Sequence, residues 1–302
     1  MNNTSITKFF IAITIVFFAC KSKTESGDMV DKAKQDLVKE NIPFTMPDTT
    51  APNNWPVVTI ETTLGNIRVA LNPNTPKHTE NFLKLVQSNF YTNTLFHRVI
   101  DGFMVQAGDP KSKLASKNQP LGEGGPGYTL PSEISDTMYH FKGALAAARE
   151  SDERNPMRNS SGSQFYIVTG TPTSLEKQKE IIEQKEIQQF LKEKGAKNVE
   201  CAMRLNTAME IGNQAAVNQV ISEIKPLIQN KLDLTLNKIP KNIKNIYATW
   251  GGAPFLDNNY TIFGKTLSGF DVIEKIQKME RDENDRPLSD VKILKCRVTK
   301  AK

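Results

Sequence analysis

The sequence predicts a mainly β protein, a closed barrel interrupted by a helical insertion. From Pro56 onward, short runs that alternate apolar and polar residues are separated by glycine-rich connections, and only two stretches among them have helical periodicity. Many short strands with few helices are typical of a closed β-barrel, which leaves no unpaired strand edge. Between Thr171 and Ile246 the spacing of apolar residues becomes helical, which predicts a different kind of element inside the barrel sequence.

The chain opens with a targeting segment. Lys8 precedes an uninterrupted apolar run over residues 9–19, which is too short to cross a hydrocarbon core of about 30 Å but suits a secretory signal. The run stops at Ala19-Cys20, and a small residue followed directly by cysteine resembles a bacterial lipoprotein signal. On that resemblance residues 1–19 are a signal peptide and Cys20 is the lipidated mature N-terminus. The alternative is an ordinary cleaved signal with an incidental cysteine.

Residues 20–54 are polar and mixed in charge, which predicts a flexible tether with a short helix over residues 29–39. A lipidated Cys20 would anchor the protein to a membrane without crossing it. We therefore expect a periplasmic protein, lipid-anchored in a bacterial cell envelope. Ser22, where an aspartate is absent, resembles sorting to the outer rather than the inner membrane.

The barrel begins with a hairpin over residues 57–71, whose two alternating runs meet at a turn over residues 64–66. Pro76 begins a predicted amphipathic helix that continues to Phe90, and a second helix is predicted over residues 271–279. Six further strands are predicted, over residues 95–100, 103–107, 144–148, 165–168, 261–264 and 291–298. In the last of these, alternation places Cys296 on one face with Leu294 and Val298, as a small buried apolar residue.

The insertion, residues 171–246, has one aromatic residue and two glycines, and its apolar residues form two stripes. We predict two or three amphipathic helices, with Pro226 as a kink or break. The first stripe comprises Leu175, Ile182, Ile187, Phe190 and Leu191, and the second comprises Met209, Val217, Val220, Ile221, Ile224 and Ile228.

Composition excludes several classes of protein. With 302 residues, a prior of about two domains applies. The 38% hydrophobic and 24% charged residues exclude a disordered chain and a polytopic membrane protein. The 39 basic and 33 acidic residues are interleaved, so no nucleic-acid partner is predicted. Three cysteines and three histidines are widely separated, so we expect no metal and no cofactor.

One fourteen-residue segment carries the strongest signal. Residues 96–109, FHRVIDGFMVQAGD, resemble the signature of the cyclophilin-type peptidyl-prolyl cis-trans isomerases. Further matches follow in the order of that family: TPKHTENF at 75–82, GGPGY at 124–128 with Glu133 after it, GSQFYI at 162–167 and FGKTLSGFDVIEKI at 263–276. The resemblance implies an eight-stranded antiparallel barrel capped by two helices, formed by residues 55–170 and 247–302, with an outer groove that holds a proline-containing peptide.

The chemistry of prolyl isomerisation indicates one residue directly. Rotation about an Xaa-Pro bond faces a barrier of about 18–20 kcal/mol because the amide is conjugated. No nucleophile or metal is needed to lower it; a pocket for the proline ring and a fixed donor that favours a pyramidal prolyl nitrogen suffice. Arginine suits the donor role because its guanidinium stays charged and rigid. We therefore expect Arg98 to be catalytic, whereas His97 is not expected to act as a base, since no proton is transferred.

Further site residues follow from the resemblance alone. It implies that Gln106 binds the substrate backbone and helps to hold the arginine, and that Ala148 and Arg149 form the strand edge against which the peptide lies. The implied walls of the proline pocket are Phe103, Met104, Phe165 and Leu256, with Phe96 beside them. Phe255 and Tyr260 stand on the far rim, where many eukaryotic members have tryptophan and histidine, so cyclosporin sensitivity is in doubt. The glycines of GEGGPGY are expected to form a tight surface turn.

Three functions remain open. The first is a monomeric isomerase that acts on unfolded, exported proteins. The second is a chaperone that binds proline-containing segments with little turnover, and the third is a scaffold lipoprotein whose insertion docks a partner. The insertion leaves and re-enters the sequence next to proposed groove residues, so our hypothesis is that it adds apolar surface for unfolded clients.

Overall fold

A computed structural model describes residues 43–117 and 119–299. The described residues form two compact units, a helical unit over Ser174–Asn245 and a barrel unit over Pro43–Thr173 and the residues from Ile246 onward. The signal, Cys20 and the short helix predicted over 29–39 lie outside the described residues. The helical unit has bounds within a few residues of the predicted insertion, 171–246.

The barrel unit is built on one curled antiparallel sheet of eight strands in the order β10-β1-β2-β9-β6-β8-β4-β3. These strands are β1 (Val57–Thr62), β2 (Gly65–Leu71), β3 (Phe96–Ile100), β4 (Met104–Ala107), β6 (Ala144–Ala147), β8 (Phe165–Val168), β9 (Ile262–Ser268) and β10 (Ile293–Thr299). A separate two-stranded sheet pairs β5 (Thr129–Leu130) with β7 (Ser160–Ser161). The predicted eight-stranded antiparallel architecture is confirmed.

The two edge strands of the large sheet, β3 and β10, meet beside their N-terminal ends. Leu95 and Lys292 form an antiparallel bridge there, and the N–H of Phe96 donates to the carbonyl of Val291 at 2.9 Å. In the described residues the contact between the edges is this bridge with its flanking hydrogen bonds, whereas the other neighbouring strands form continuous ladders.

Each strand of the sheet has one face toward the core. In β4 and β8 the inward residues are Val105, Ala107, Phe165 and Ile167, and they share one apolar cluster with residues of β1 and β2. Helices α1 (Pro76–Gln87) and α6 (Phe270–Gln277) bury their apolar faces in the same cluster. The alternate residues of each strand therefore lie on the outer face, where a site can form.

Helix α1 begins where its sequence predicts, at Pro76, and is capped from a distant part of the chain. The Glu133 carboxylate accepts hydrogen bonds from the backbone N–H of Lys77 and of His78, at 3.1 and 3.0 Å. A carboxylate at this end of a helix satisfies free N–H groups and interacts favourably with the helix dipole. Glu133, noted in the sequence only as part of a family pattern, thus fixes the first helix on the sheet.

The prediction for the last strand is wrong in part. Cys296 is buried as expected, but Leu294 and Val298 are about half exposed, at 47% and 48%. The pairing of β1 with β10 shifts register beside Thr62, and this irregularity reverses the alternation so that Ile293 and Cys296 are both inside. Burial raises the pKa of the Cys296 thiol to about 12, and both Cys201 and Cys296 are free thiols.

The tether prediction is also wrong for its last residues. Within the barrel unit, the backbone N–H of Thr45 donates to the hydroxyl of Thr249, which in turn donates to the carbonyl of Thr45. The Lys265 ammonium donates to the carbonyl of Asp48 at 2.7 Å. Residues 43–48 are therefore held against the barrel and are not a free linker.

The helical unit contains α2 (Leu175–Lys192), α3 (Ala196–Glu210) and α4 (Gln214–Lys238), and α5 (Lys241–Thr249) leads back to the barrel sequence. Ser174 and Asn213 cap α2 and α4 by accepting backbone N–H groups. Much of both predicted apolar stripes packs around the fully buried Cys201. Pro226 lies inside α4 and does not divide it into two helices. Within the described residues, the helices are too short or too polar to cross a membrane.

Candidate active site

An irregularity in β3 brings Arg98 to the outer face of the sheet. Opposite β4, Phe96 pairs with Ala107 and Arg98 pairs with Gln106, so His97 is an extra residue without a partner of its own. Such a bulge reverses the alternation of side chains along the strand. Phe96 and Val99 therefore both face the core, and Arg98 is exposed.

The guanidinium of Arg98 is held at one edge by a carboxylate. Its Nε lies 3.5 Å from Oδ2 of Asp285, and 44% of the Arg98 side chain is exposed. The carbonyl of Asp285 also accepts the backbone N–H of Val99 at 2.8 Å, which holds the loop around Asp285 against β3. Arg98 and its cross-strand neighbour Gln106 share this face of the sheet, where the partly exposed guanidinium is accessible to a ligand.

A buried network fixes the orientation of Gln106. Its Nε2 donates to Oε1 of Gln164 at 2.9 Å, and Nε2 of Gln164 donates to the carbonyls of Gly122 and Gly124, both at 2.7 Å. The backbone N–H groups of the same two glycines donate to the Asp109 carboxylate. The loop therefore connects Asp109, which is fully buried, to the site.

The glycine-rich loop is thus more than the surface turn that its sequence predicts. Gly124 is buried, and a Cβ atom there would overlap the Asp109 carboxylate. Gly122 has φ of +103°, a conformation that favours glycine. These two positions need glycine because the backbone itself carries the hydrogen bonds between Asp109 and Gln164.

His97 has no chemical role in this arrangement. The side chain is buried, and neither ring nitrogen has a hydrogen-bond partner among the described residues. Burial lowers the pKa of His97, which keeps the imidazole neutral. Its contribution is structural, as the additional residue that turns Arg98 outward.

An apolar cluster lies on the same outer face of the sheet as Arg98, and the term apolar pocket refers to this cluster. Met104 and Tyr166 are almost fully buried, and Leu256 is 8% exposed. Phe103 packs on Phe255 with ring centroids 5.2 Å apart. The cluster comprises Met104, Ala144, Ala146, Tyr166, Val168, Ala253, Leu256 and Ile262, with Ile100, Phe103, Met138, Ala148, Phe255 and Tyr260 packed at its edge.

The expected places of Phe165 and Phe96 are wrong. Phe165 lies in the barrel core, where its ring meets Phe82 and Tyr91 edge to face at 5.4 and 5.5 Å, and Phe96 belongs to the same core. Tyr166, one residue later, takes the pocket position. Successive residues of a strand point to opposite faces, so the signature motif places one of the two aromatic residues on each side of the sheet.

The rim at Ala148 and Arg149 also differs from expectation. Both backbone groups of Ala148 are already paired, its N–H with Gln164 and its carbonyl with Ser161, so this position is not an open strand edge. The Arg149 guanidinium lies over the Tyr260 ring at 4.6 Å, donates to the carbonyl of Asn259 and pairs with Asp152. Arg149 therefore stabilises the rim, and Tyr260 in particular.

Together these residues form a preorganised donor beside an apolar cavity wall. The polar groups donate hydrogen bonds, the aromatic and aliphatic groups exclude water, and the site of the described residues contains no paired nucleophile and base. No group of three or more metal-binding side chains occurs in residues 43–117 and 119–299. Such an arrangement can bind an apolar ring and polarise an adjacent amide.

The family is identified by sequence comparison. The family model described as cyclophilin type peptidyl-prolyl cis-trans isomerase/CLD matches residues 57–185 and 233–298. Because this match covers more than half of the sequence, the chain belongs to the cyclophilin-type peptidyl-prolyl cis-trans isomerase family. The segment between the two matched ranges, residues 186–232, lies within the helical unit.

Several relatives share modest identity with the chain. A Streptococcus pyogenes protein named as a bifunctional phosphatase/peptidyl-prolyl cis-trans isomerase is 28% identical over 91% of this chain and 45% of its own length. Peptidyl-prolyl cis-trans isomerase CYP71 of Arabidopsis thaliana is 28% identical over 84% of this chain and 25% of its own. The chain thus spans less than half the length of these two relatives.

A Staphylococcus aureus protein, named as a peptidyl-prolyl cis-trans isomerase, is 28% identical over 78% of this chain and 88% of its own length. Among solved structures, a cyclophilin type peptidyl-prolyl cis-trans isomerase of Cryptosporidium parvum is similar, with a TM-score of 0.49 and 21% identity. That similarity covers 81% of this chain and 98% of that one.

The network behind Gln106 predicts the effect of an isosteric substitution. Gln164→Glu would place a carboxylate against the carbonyls of Gly122 and Gly124, so we expect the free energy of unfolding to fall by about 1–3 kcal/mol. A buried carboxyl has a raised pKa, so the loss should be smaller at pH 5, where protonation restores a donor, than at pH 8. Urea denaturation at both pH values measures this difference.

The matched control is Gln189→Glu, the same chemical change on an exposed side chain of α2. It should change the free energy of unfolding by less than about 0.5 kcal/mol at either pH. Equal losses for the two variants would contradict the role assigned to Gln164.

Proposed function

We propose that the chain accelerates the cis-trans isomerisation of Xaa-Pro bonds in unfolded, exported proteins. The observation that carries this proposal is the placement of Arg98 and Gln106 as cross-strand neighbours on the face that also holds the apolar pocket. Membership of the isomerase family supports the same conclusion.

The pocket and the donor have separate tasks in the proposed mechanism. The proline ring packs among Met104, Tyr166 and Leu256, which fixes one side of the prolyl bond. Gln106, oriented by Gln164, binds the peptide backbone beside it. The remaining backbone of the substrate is then free to rotate.

Arg98 acts on the bond that rotates. In the planar ground state the prolyl nitrogen lone pair is delocalised into the carbonyl, so it is a poor acceptor. In the twisted transition state the nitrogen becomes pyramidal and accepts a hydrogen bond from the guanidinium. This interaction is stronger in the transition state than in the ground state, so it raises the rate and not merely the affinity. Asp285 holds the guanidinium in place beforehand.

This mechanism predicts a large effect for one arginine. Arg98→Ala should lower kcat/KM for a proline tetrapeptide by roughly 10²–10³-fold, because a preorganised donor is lost. Arg98→Lys should recover only part of the rate, since an ammonium lacks the planar fork. A stopped-flow isomerisation assay measures both variants.

The control for charge is Arg297→Ala, which removes an exposed arginine of β10 that likewise pairs with a carboxylate, Glu61. It should leave kcat/KM unchanged. If Arg98→Ala kept the full rate, the mechanism would be wrong although the family is right. If the unaltered chain gave no acceleration but still bound the peptide, the function would be that of a proline-binding chaperone.

The first twenty residues support a proposal about location. The apolar run before Ala19-Cys20 is what a lipoprotein signal requires, so we place the protein at the periplasmic side of a bacterial envelope, with a lipid anchor on Cys20. A lipid-anchored enzyme on that side would meet exported chains before they finish folding.

Replacement of the anchoring residue tests this location. In a bacterial host, Cys20→Ser should move the protein from the membrane fraction to the soluble periplasmic fraction, because the thiol that accepts the lipid is gone. Cys201→Ser is the control, since that cysteine is buried in the helical unit. An unlipidated Cys20 in the isolated protein, by mass spectrometry, would exclude the anchor.

For the helical unit we propose a role in binding unfolded clients. Several of its large apolar side chains are exposed, namely Val199, Met203, Ile211, Leu227 and Leu234. Removal of residues 174–245 is feasible, because the N–H of Thr173 donates to the carbonyl of Tyr247 at 2.9 Å and a short glycine linker can join the two ends.

That deletion should leave tetrapeptide turnover within about twofold of the full chain, while refolding of a proline-limited protein slows several-fold. The reason is that a tetrapeptide needs only the barrel groove, whereas an unfolded protein also uses apolar contacts outside it. An equal loss in both assays would show that the helical unit is merely part of the fold.

A further inference from the structure

Four polar side chains form a continuous chain behind the apolar pocket. The Tyr166 hydroxyl lies 3.0 Å from Nε2 of His140, and Nδ1 of His140 lies 2.9 Å from Oδ1 of Asp257. The Tyr247 hydroxyl donates to Oδ2 of Asp257 at 2.6 Å. The backbone N–H of His140 donates to the same Asp257 carboxylate at 2.8 Å.

One assignment of donors and acceptors satisfies every hydrogen bond along this chain. A carboxylate can only accept, so Nδ1–H of His140 is the donor in the hydrogen bond to Asp257. Nε2 of His140 is then available to accept a hydrogen bond from the Tyr166 hydroxyl. Burial raises the pKa of Tyr166 and of Tyr247 well above the usual range, so both hydroxyls remain donors.

The chain of hydrogen bonds connects two different walls of the pocket. Tyr166 lies on β8, in the sheet, and its ring faces Tyr260 at 5.9 Å. Asp257 follows directly on the 3₁₀ helix Pro254–Leu256, which supplies Phe255 and Leu256 to the opposite wall. His140, which is fully buried, is the bridge between them.

Packing of the pocket wall alone does not explain why residue 166 carries a buried hydroxyl group. A phenylalanine would fill the same wall, whereas a buried tyrosine hydroxyl without a hydrogen-bond partner would destabilise the fold. The partner here is not a nearby carbonyl but an imidazole that is itself fixed by a carboxylate. The arrangement restricts the Tyr166 ring to one position relative to the loop that carries Leu256.

We infer that His140 is a positioning residue that, through Tyr166 and Asp257, fixes the width of the pocket and makes it selective for the five-membered ring of proline. This inference rests on the proposed function, because it assumes that a cyclic imino acid is the ligand of the pocket. Neither His140 nor its partners touch the bond that rotates.

The test compares two peptides that differ only in ring size, one with proline and one with the six-membered pipecolic acid at the same position. For each protein variant the two dissociation constants are measured by calorimetry, and kcat/KM is measured in parallel. Tyr166→Phe, which keeps the ring and removes the hydroxyl, should weaken proline binding about three- to tenfold and affect pipecolic acid much less. The dissociation constant for the pipecolic acid peptide divided by that for the proline peptide therefore falls.

Tyr91→Phe is the matched control. It removes another buried tyrosine hydroxyl, which donates to the carbonyl of Ser163 in the barrel core. It should lower the melting temperature about as much as Tyr166→Phe and leave the peptide ratio unchanged. An unchanged ratio in Tyr166→Phe as well would overturn the inference, because the network would then serve stability alone.

A second variant tests whether the network acts as a unit. Asp257→Asn should reduce the same ratio, and adding Tyr166→Phe to it should change the ratio little further, since both substitutions release the same ring. Independent, multiplicative effects would contradict the inference. If the unaltered chain binds proline peptide without accelerating its isomerisation, the proposed function fails while the ratio still tests the network; if it binds neither peptide, both fail.

Discussion

The site depends on one backbone constraint, the additional residue in β3. A strand presents alternate side chains to opposite faces, and strict alternation would turn Phe96 and Arg98 to the same side. The bulge at His97 allows Phe96 and Val99 to fill the core while Arg98 stands outside beside Gln106. A single extra residue reverses the direction of every side chain after it. Core residues and the proposed catalytic donor, Arg98, therefore share a five-residue strand without conflict.

The rest of the site follows from the two faces of the curled sheet. Inward residues build a dry core against α1 and α6, and outward residues of β3, β4, β6 and β8 build the groove. Polar groups near the groove are held by buried networks that begin at Asp109 and at Asp257. In each network the carboxylate is fully or largely buried and its oxygens accept hydrogen bonds. These bonds offset the loss of stability that a buried, unpaired charge would cause.

Sequence reasoning predicted the positions of the strands and helices better than it predicted which side chains face the core. The alternating runs and the signature motif located the strands, Arg98, Met104 and Gln106, because those features are local. Phe165 was wrongly assigned to the pocket and Tyr166 was not named, since alternation shows that they point to opposite faces but not which face is the core. The pairing of Tyr166 with Gln106 decides this, and cross-strand register is a tertiary fact. The network of His140, Asp257 and Tyr247 was missed for the same reason, because 117 positions separate His140 from Asp257.

Local rules also failed where the surroundings outweighed them. Pro226 was expected to kink or break a helix, and it does not break it, because packing of the residues before and after it keeps α4 continuous. Leu294 and Val298 were expected inside, yet a register shift in β10 turns Leu294 out. Val298 stays in register opposite Val58 and is half exposed near the end of this edge strand. The glycine-rich loop was expected to be a surface turn, and only the buried Asp109 explains why Gly124 has no side chain.

The central claim is that the outer face of the sheet, and not its interior, receives the proline ring beside Arg98. Nuclear Overhauser measurements between a proline peptide and a chain carrying a labelled Met104 methyl group test it most directly. The account predicts cross-peaks from the prolyl ring to the Met104 methyl and to the Tyr166 ring. Cross-peaks to neither residue, with the peptide bound elsewhere on the chain, would contradict it.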